Sequence, residues 1–248
     1  MRASNPFSTA LLTVLVAFVA VVWPDPSHAS VTRGASVLDS AAGKSRNPRA
    51  NDSSVFDVDG WADVELGALN RSVFALALAS AQRAVERGEA EPSTLTVIDY
   101  SRPSTERRLW VIDLRTRELL FEEYVSHGRN SGGNVPTSFS NEEGSYKSSL
   151  GLFRAAEAYN GKHGYSLRLD GLEKGVNDRA RERAIVIHGA DYVNPVLAKK
   201  QGRLGRSLGC PAVRPAITRP LIDAVKNGGL VFAYYPDPTW LNASSYLN

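Results

Sequence analysis

The sequence predicts a mainly β domain of the α+β type, with short helices and an N-terminal helical extension. Two observations carry this expectation. Between Thr94 and Tyr235, short runs rich in Val, Ile, Leu and aromatic residues alternate with turns bearing Gly, Asn and Ser, the pattern of strands. Before Pro92, Leu66, Leu69, Val73, Leu76 and Ala77 instead recur near helical spacing, and Ala81 and Ala84 extend the stripe.

Residues 1–29 read as an export signal. Arg2 gives the positive start, Ala10 to Trp23 the apolar run, and Ser27-His28-Ala29 the small residues before a cut after Ala29. That run is short of the about 20 residues that span a bilayer. The expectation is an exported chain, in the periplasm or cell envelope, with no stable membrane span after cleavage. Residues 30–60 are rich in Ser, Ala, Gly, Asn and Asp and read as a flexible leader. Residues 61–92 hold the helical segment, Ala-rich from Leu66 to Glu89 and stopped near Gly88.

Residues 93–240 form the expected catalytic domain, followed by a tail over 241–248. Strands are predicted at Thr94–Tyr100, at Arg108–Leu114 and Glu118–Val125 as a hairpin, at Leu150–Ala156, Ser166–Leu169 and Ala184–His188, and at Leu230–Tyr235. A helix is predicted from Thr218 to Lys226, with Pro220 in its first turn and Gly228 at its stop. The polar stretch from Ser126 to Ser149 reads as a long loop, a length often tied to function. Its Gly132-Gly133 pair suggests a hinged flap over the site.

The formal net charge of +3 suits an anionic partner such as a cell wall or a carboxylated peptide. It is too small and too dispersed for nucleic acid. Arg179 to Arg183 and Lys199 to Arg206 are the densest basic clusters. The single cysteine, Cys210, has no intrachain disulfide partner in a compartment that permits disulfides, which points to a functional thiol.

Cys210 lies in Gly205-Arg-Ser-Leu-Gly-Cys-Pro211, where Gly209 permits close backbone approach and Pro211 fixes the chain beyond. Such a turn can expose a thiol and aim backbone N–H groups at an oxyanion. A nucleophilic thiol needs a base. His188, at the end of an apolar strand and before Gly189, is the best placed. Its second ring nitrogen needs an acceptor, either a backbone carbonyl near Gly189 or the side chain of Asp191. His127 and His163 are candidates for lining the same cleft. Arg206, Arg214 and Lys147 are candidates for holding a peptide carboxylate. Zinc competes for Cys and His, but no His-x-His or Cys-x-x-Cys pair supplies a local nucleus, so neither metal nor other cofactor is expected.

The ordered set Ser126-His-Gly-Arg-Asn-Ser-Gly132, Ser148-Ser-Leu-Gly-Leu-Phe153, Tyr159-Asn-Gly-Lys-His-Gly-Tyr-Ser-Leu-Arg-Leu-Asp-Gly-Leu172, Ala184-Ile-Val-Ile-His-Gly-Ala190 and Gly205-Arg-Ser-Leu-Gly-Cys-Pro211 resembles the murein L,D-transpeptidase catalytic domain family, of the YkuD-like superfamily. The resemblance covers about residues 95 to 236. It implies a β-sandwich or barrel-like catalytic domain with Cys210 as nucleophile, His188 as base and the Gly189 carbonyl orienting the base. The oxyanion donors would be N–H groups around Gly209 and Cys210, and Ser207 matches the family's Ser/Thr three before the cysteine. The broader family places a second histidine where this chain has Leu208. Its arginine after the cysteine is offset here, at Arg214.

The implied partners are peptidoglycan stem peptides, with carbapenem-type β-lactams as covalent inhibitors. The implied reaction cleaves the L,D bond before a terminal D-alanine through a thioester and forms 3–3 cross-links. Water as acceptor makes the same chemistry an L,D-carboxypeptidase, and a wall-binding module without turnover is the non-enzymatic alternative.

Overall fold

The structure, a computed structural model, describes residues 53–248. The export signal and most of the leader fall outside the described residues. Among those described, no helix is long and apolar enough to cross a membrane.

Eight strands form one sheet in the order β3-β2-β1-β8-β4-β5-β6-β7. These are β1 (Thr94–Asp99), β2 (Leu109–Asp113), β3 (Glu118–Glu123), β4 (Gly151–Gly161), β5 (Gly164–Gly171), β6 (Val186–Gly189), β7 (Ala212–Val213) and β8 (Leu230–Tyr234). All six residues of β1 are buried. Both of its faces are covered, so Thr94, Thr96 and Asp99 are buried along with Leu95, Val97 and Ile98. The edge strand β3 instead exposes Glu118 and Leu120. The last strand, β8, lies between β1, to which it is parallel, and β4, to which it is antiparallel.

Beyond β3 the chain turns toward the far edge of the sheet. Ser126 N–H donates to the Ala212 carbonyl at 2.8 Å, Ser207 N–H to the His127 carbonyl at 2.9 Å, and Arg129 N–H to the Ser207 carbonyl at 2.8 Å. These bonds bring the two ends of the sheet together into a nearly closed, barrel-like form and set the Cys210 turn at the join.

Helix α1 (Arg71–Glu86) starts where the Asn70 side chain accepts from Ser72 N–H and Val73 N–H, a cap worth ~1 kcal/mol. Its buried stripe of Val73, Phe74, Ala77, Leu78, Ala81 and Ala84 packs on β1 and β8. The predicted helix began at Leu66. The chain ahead of Asn70 is instead turn, with Leu66 and Leu69 buried. Two 3-10 helices, Ser53–Phe56 and Val58–Trp61, the second ending on the fully buried Trp61, occupy the end of the stretch that read as leader.

Three features were not predicted: α2 (Pro195–Gln201), the short β7, and α4 (Pro238–Ala243). Helix α3 (Pro215–Val225) begins three residues before the expected Thr218, so Pro215 occupies the first turn and Pro220 lies inside the helix. The final residues pack rather than trail: Tyr246 is 1% exposed, its carbonyl accepts from Arg83 at 2.5 Å, and its ring lies under the Arg87 guanidinium.

Candidate active site

The turn that carries Cys210 is built by one hydroxyl. Ser207 Oγ accepts the Gly209 N–H at 3.0 Å and donates to the Cys210 carbonyl at 2.6 Å. Ser148 Oγ secures the same turn from the long loop, donating to the Gly209 carbonyl at 3.0 Å while accepting the Gly128 N–H at 3.0 Å. Gly209 has φ +130°, and a side chain there would meet the Lys147 carbonyl at 2.9 Å. Both facts call for glycine. Leu208, where the broader family resemblance expects histidine, is 58% exposed.

Strand β6 supplies the base. His188 is 3% exposed and its Nδ1 lies 2.9 Å from the Gly189 carbonyl. A carbonyl only accepts, so Nδ1 carries the proton and Nε2 is left with its lone pair. Asp191, the other candidate for orienting the ring, is exposed and makes no hydrogen bond to it. Gly189 is also sterically required, since a side chain would come within 2.4 Å of Thr218 Oγ1. Strands β6 and β7 run parallel, with His188 opposite Ala212. Cys210 thus sits two residues before the partner of His188.

The Cys210 thiol donates to the Ala184 carbonyl at 3.6 Å; no hydrogen bond joins it to His188. Burial pushes the thiol above its ordinary pKa, while the N–H groups of Val186 and Cys210 and the Arg183 guanidinium pull it down. Burial holds the His188 imidazole below its ordinary value, opposed by the Gly189 carbonyl and reinforced by His163. The resting pair is therefore a neutral thiol and a neutral imidazole.

His163, exposed at the tip of the β4–β5 hairpin, stacks on His188 with ring centroids 4.5 Å apart and planes 30° apart. It also lines a groove of about 350 Å³ with Tyr165, Gly189, Asp191 and Arg219.

The other expected contact residues are already engaged. His127 is 1% exposed, and its Nδ1 accepts from the fully buried Arg108 at 2.7 Å. Its Nε2 makes no hydrogen bond, although the Gly132 and Gly133 carbonyls lie near enough to favour protonation; burial, then Arg108, dominate and lower its pKa to about 3. Arg206 donates to the carbonyls of Arg129 and Gly132 at 2.9 and 2.8 Å. Arg214 pairs with Glu123, its Nε donating at 2.9 Å. Two positioning elements escaped the sequence reading, Ser148 and Arg183. Ser148 was visible only as the first residue of a motif that resembles the family, and Arg183 only as one arginine in a basic cluster. Among the described residues, no group of three or more His, Cys, Asp or Glu is placed to hold a metal ion.

Comparison with known proteins supplies a family. No curated protein matches the chain significantly. Solved structures that do match include the avibactam carbamoyl form of Ldtfm, at 13% identity and TM-score 0.38, with 58% of this chain and 50% of that chain covered. An L,D-transpeptidase from Mycobacterium smegmatis matches at 17% identity and TM-score 0.35, covering 58% and 59%. The helical cell shape determining protein Pgp2 from Campylobacter jejuni matches at 14% identity and TM-score 0.40, covering 64% and 55%. The chain thus spans between half and three fifths of the length of these three. A family model described as the YkuD_2 L,D-transpeptidase catalytic domain matches residues 65–234, which contain every strand, the Cys210 turn and His188. With most of its length accounted for in this way, the chain belongs to the L,D-transpeptidase catalytic domain family.

Proposed function

We propose that this protein is an exported acyltransferase that acts on peptidoglycan stem peptides through Cys210. The observation that carries the reading is the His188 Nδ1 contact to the Gly189 carbonyl at 2.9 Å. It leaves the basic Nε2 lone pair available, on the strand adjacent to the cysteine turn.

In the first half-reaction His188 Nε2 takes the Cys210 proton, and the sulfur attacks the carbonyl of the third, diamino acid residue at its L-centre. The bond from that carbonyl to the terminal D-alanine nitrogen breaks, His188 returns the proton to the departing amine, and a thioester remains. In the second half the side-chain amine of another stem attacks the thioester. It loses a proton to His188, which passes to the released sulfur, and a 3–3 cross-link results. With water as acceptor, the same first half gives an L,D-carboxypeptidase.

The oxyanion is held by backbone N–H groups around Gly209 and Cys210. Because Ser207 Oγ takes the Gly209 N–H, the Cys210 N–H beside the sulfur carries most of this role. Ser207 shapes the turn, and His163, with the groove it lines, meets the stem. Arg206, Arg214 and His127 act on substrate through the walls they brace.

Release of D-alanine from a purified tetrapeptide tests the reading. Wild type should release it, and Cys210→Ala should not, at an unchanged thermal midpoint. Equal release by the Ala variant would sink the mechanism.

A further inference from the structure

Arg183 lies in the last turn before β6. Its guanidinium donates to the Ser140 carbonyl at 2.6 Å, Ser149 Oγ at 2.5 Å, the Lys147 carbonyl at 2.6 Å and Ser145 Oγ at 3.3 Å. All four acceptors are neutral, and Arg183 enters none of the ion pairs among the described residues. A half-buried arginine usually faces a carboxylate, because burying an unanswered charge is costly. Here it faces the nucleophile's turn. The carbonyl of the next residue, Ala184, accepts the Cys210 S–H at 3.6 Å. A side chain at Gly209 would approach Arg183 Nη2 to 3.5 Å.

We propose that Arg183 is the charge partner of the Cys210 thiolate, a positioning residue that stabilises negative charge on the sulfur once His188 removes its proton. Through the same fork it clamps residues 140–149 against the cysteine turn, so loop order and thiol ionisation are coupled. The electrostatic directions agree: Arg183 favours the thiolate, and Cys210 favours the charged guanidinium. The inference rests on Cys210 being the nucleophile.

The test is the pH profile of Cys210 alkylation by iodoacetamide, read by intact mass. Arg183→Gln should raise the midpoint by about one unit and slow alkylation near neutral pH by about tenfold, since the thiolate is the reactive form. Arg183→Lys, which keeps the charge, should leave the midpoint within a few tenths of a unit of wild type. A role confined to fastening the loop predicts the opposite sign for Arg183→Gln. A loosened loop admits water, relieves desolvation of the sulfur and lowers the midpoint. An unchanged or lowered midpoint in Arg183→Gln overturns the proposal. Should that variant not fold, Arg183→Lys decides alone: a retained midpoint supports the charge partnership and a fall overturns it. Iodoacetamide needs no stem peptide, so D-alanine release by wild type, measured in parallel, tests the acyl-transfer reading separately.

Discussion

Ser207 Oγ donates to the carbonyl of Cys210 at 2.6 Å, so the residue three before the nucleophile braces the nucleophile's own peptide. The same oxygen accepts from Gly209. Ser207→Ala removes both bonds from a site that is 5% exposed. The expected loss is ~1–3 kcal/mol of stability, the penalty for stranding buried polar groups, read as a lower urea midpoint. D-alanine release should fall at least about tenfold, because small displacements of a reacting atom are expensive. Unchanged values of both would assign the turn's rigidity to Ser148 and Gly209 instead.

Replacing the base separates proton transfer from binding. His188→Gln should slow acylation of Cys210 by a factor of order 10²–10⁴, while the fold is kept. In wild type the imidazole is held below its ordinary pKa. The acid limb of the acylation profile should therefore lie below about pH 6.5, the ordinary histidine value. A Gln variant that reacts at the wild-type rate, or an acid limb above that value, would show His188 miscast.

A carbapenem presents a strained amide carbonyl to the same thiol. Incubation with the folded, reduced protein should add one inhibitor mass at Cys210, seen by intact-protein mass spectrometry, and Cys210→Ala should gain none. A wild-type protein that remains unmodified would count against an acylating thiol.

His127 should give stability a pH dependence whose sign follows from its burial beside Arg108. Its folded pKa of about 3 lies below the ordinary value near 6.5, so between those values the unfolded chain binds the extra proton. Stability from this group is complete above about pH 6.5, falls as pH drops toward 3, and levels off below. The slope is at most about 1.4 kcal/mol per pH unit for one proton. His188, also depressed, acts with the same sign. His127→Gln, which keeps an acceptor for Arg108, should flatten the dependence measured by urea unfolding from pH 7 to 4. An unaltered slope would mean that His127 titrates normally in the folded protein.

The central strands were legible from their density of Leu, Val, Ile and Phe, side chains that the sheet buries. Leu95, Val97 and Ile98, like Val231 and Phe232, are all within 1% of full burial. Helix α1 was legible from its 3.6-residue stripe, but its start was not, since Leu66 and Leu69 are buried from turns rather than from helix. The first turn of α3 was assigned to Pro220 because the apolar stripe of Leu221, Ile222 and Val225 starts beside it, whereas the helix itself starts at Pro215. His188 and Gly189 stood out by position at a strand end, and Cys210 as the single cysteine, set in a Gly-Cys-Pro turn. Arg183 did not, because its meaning depends on Ser140, Lys147 and Ser149, some forty residues away along the chain, and local pattern cannot report such partners. The loop from Ser126 to Ser149 was recognisable as irregular backbone, yet its expected hinge at Gly132 is fastened: the Gly132 carbonyl accepts from Arg206, and Gly132 pairs with Pro136.

The position of β8 bears on how such a protein is made. The last strand of the chain sits in the middle of the sheet, and β1 meets β4 only through it. A nascent chain ending before Leu230 can form a β1–β2–β3 ribbon and a β4–β5–β6–β7 ribbon, each with an unpaired inner edge. Pairing across so long a separation pays its loop-closure entropy before any contact rewards it, which makes assembly slow and late. Ser148 and the Ser126–Arg129 segment, which brace the cysteine turn, belong to the one loop that links these two ribbons. Reactivity should accordingly appear in a single step, when the final strand docks, rather than grow with chain length during synthesis.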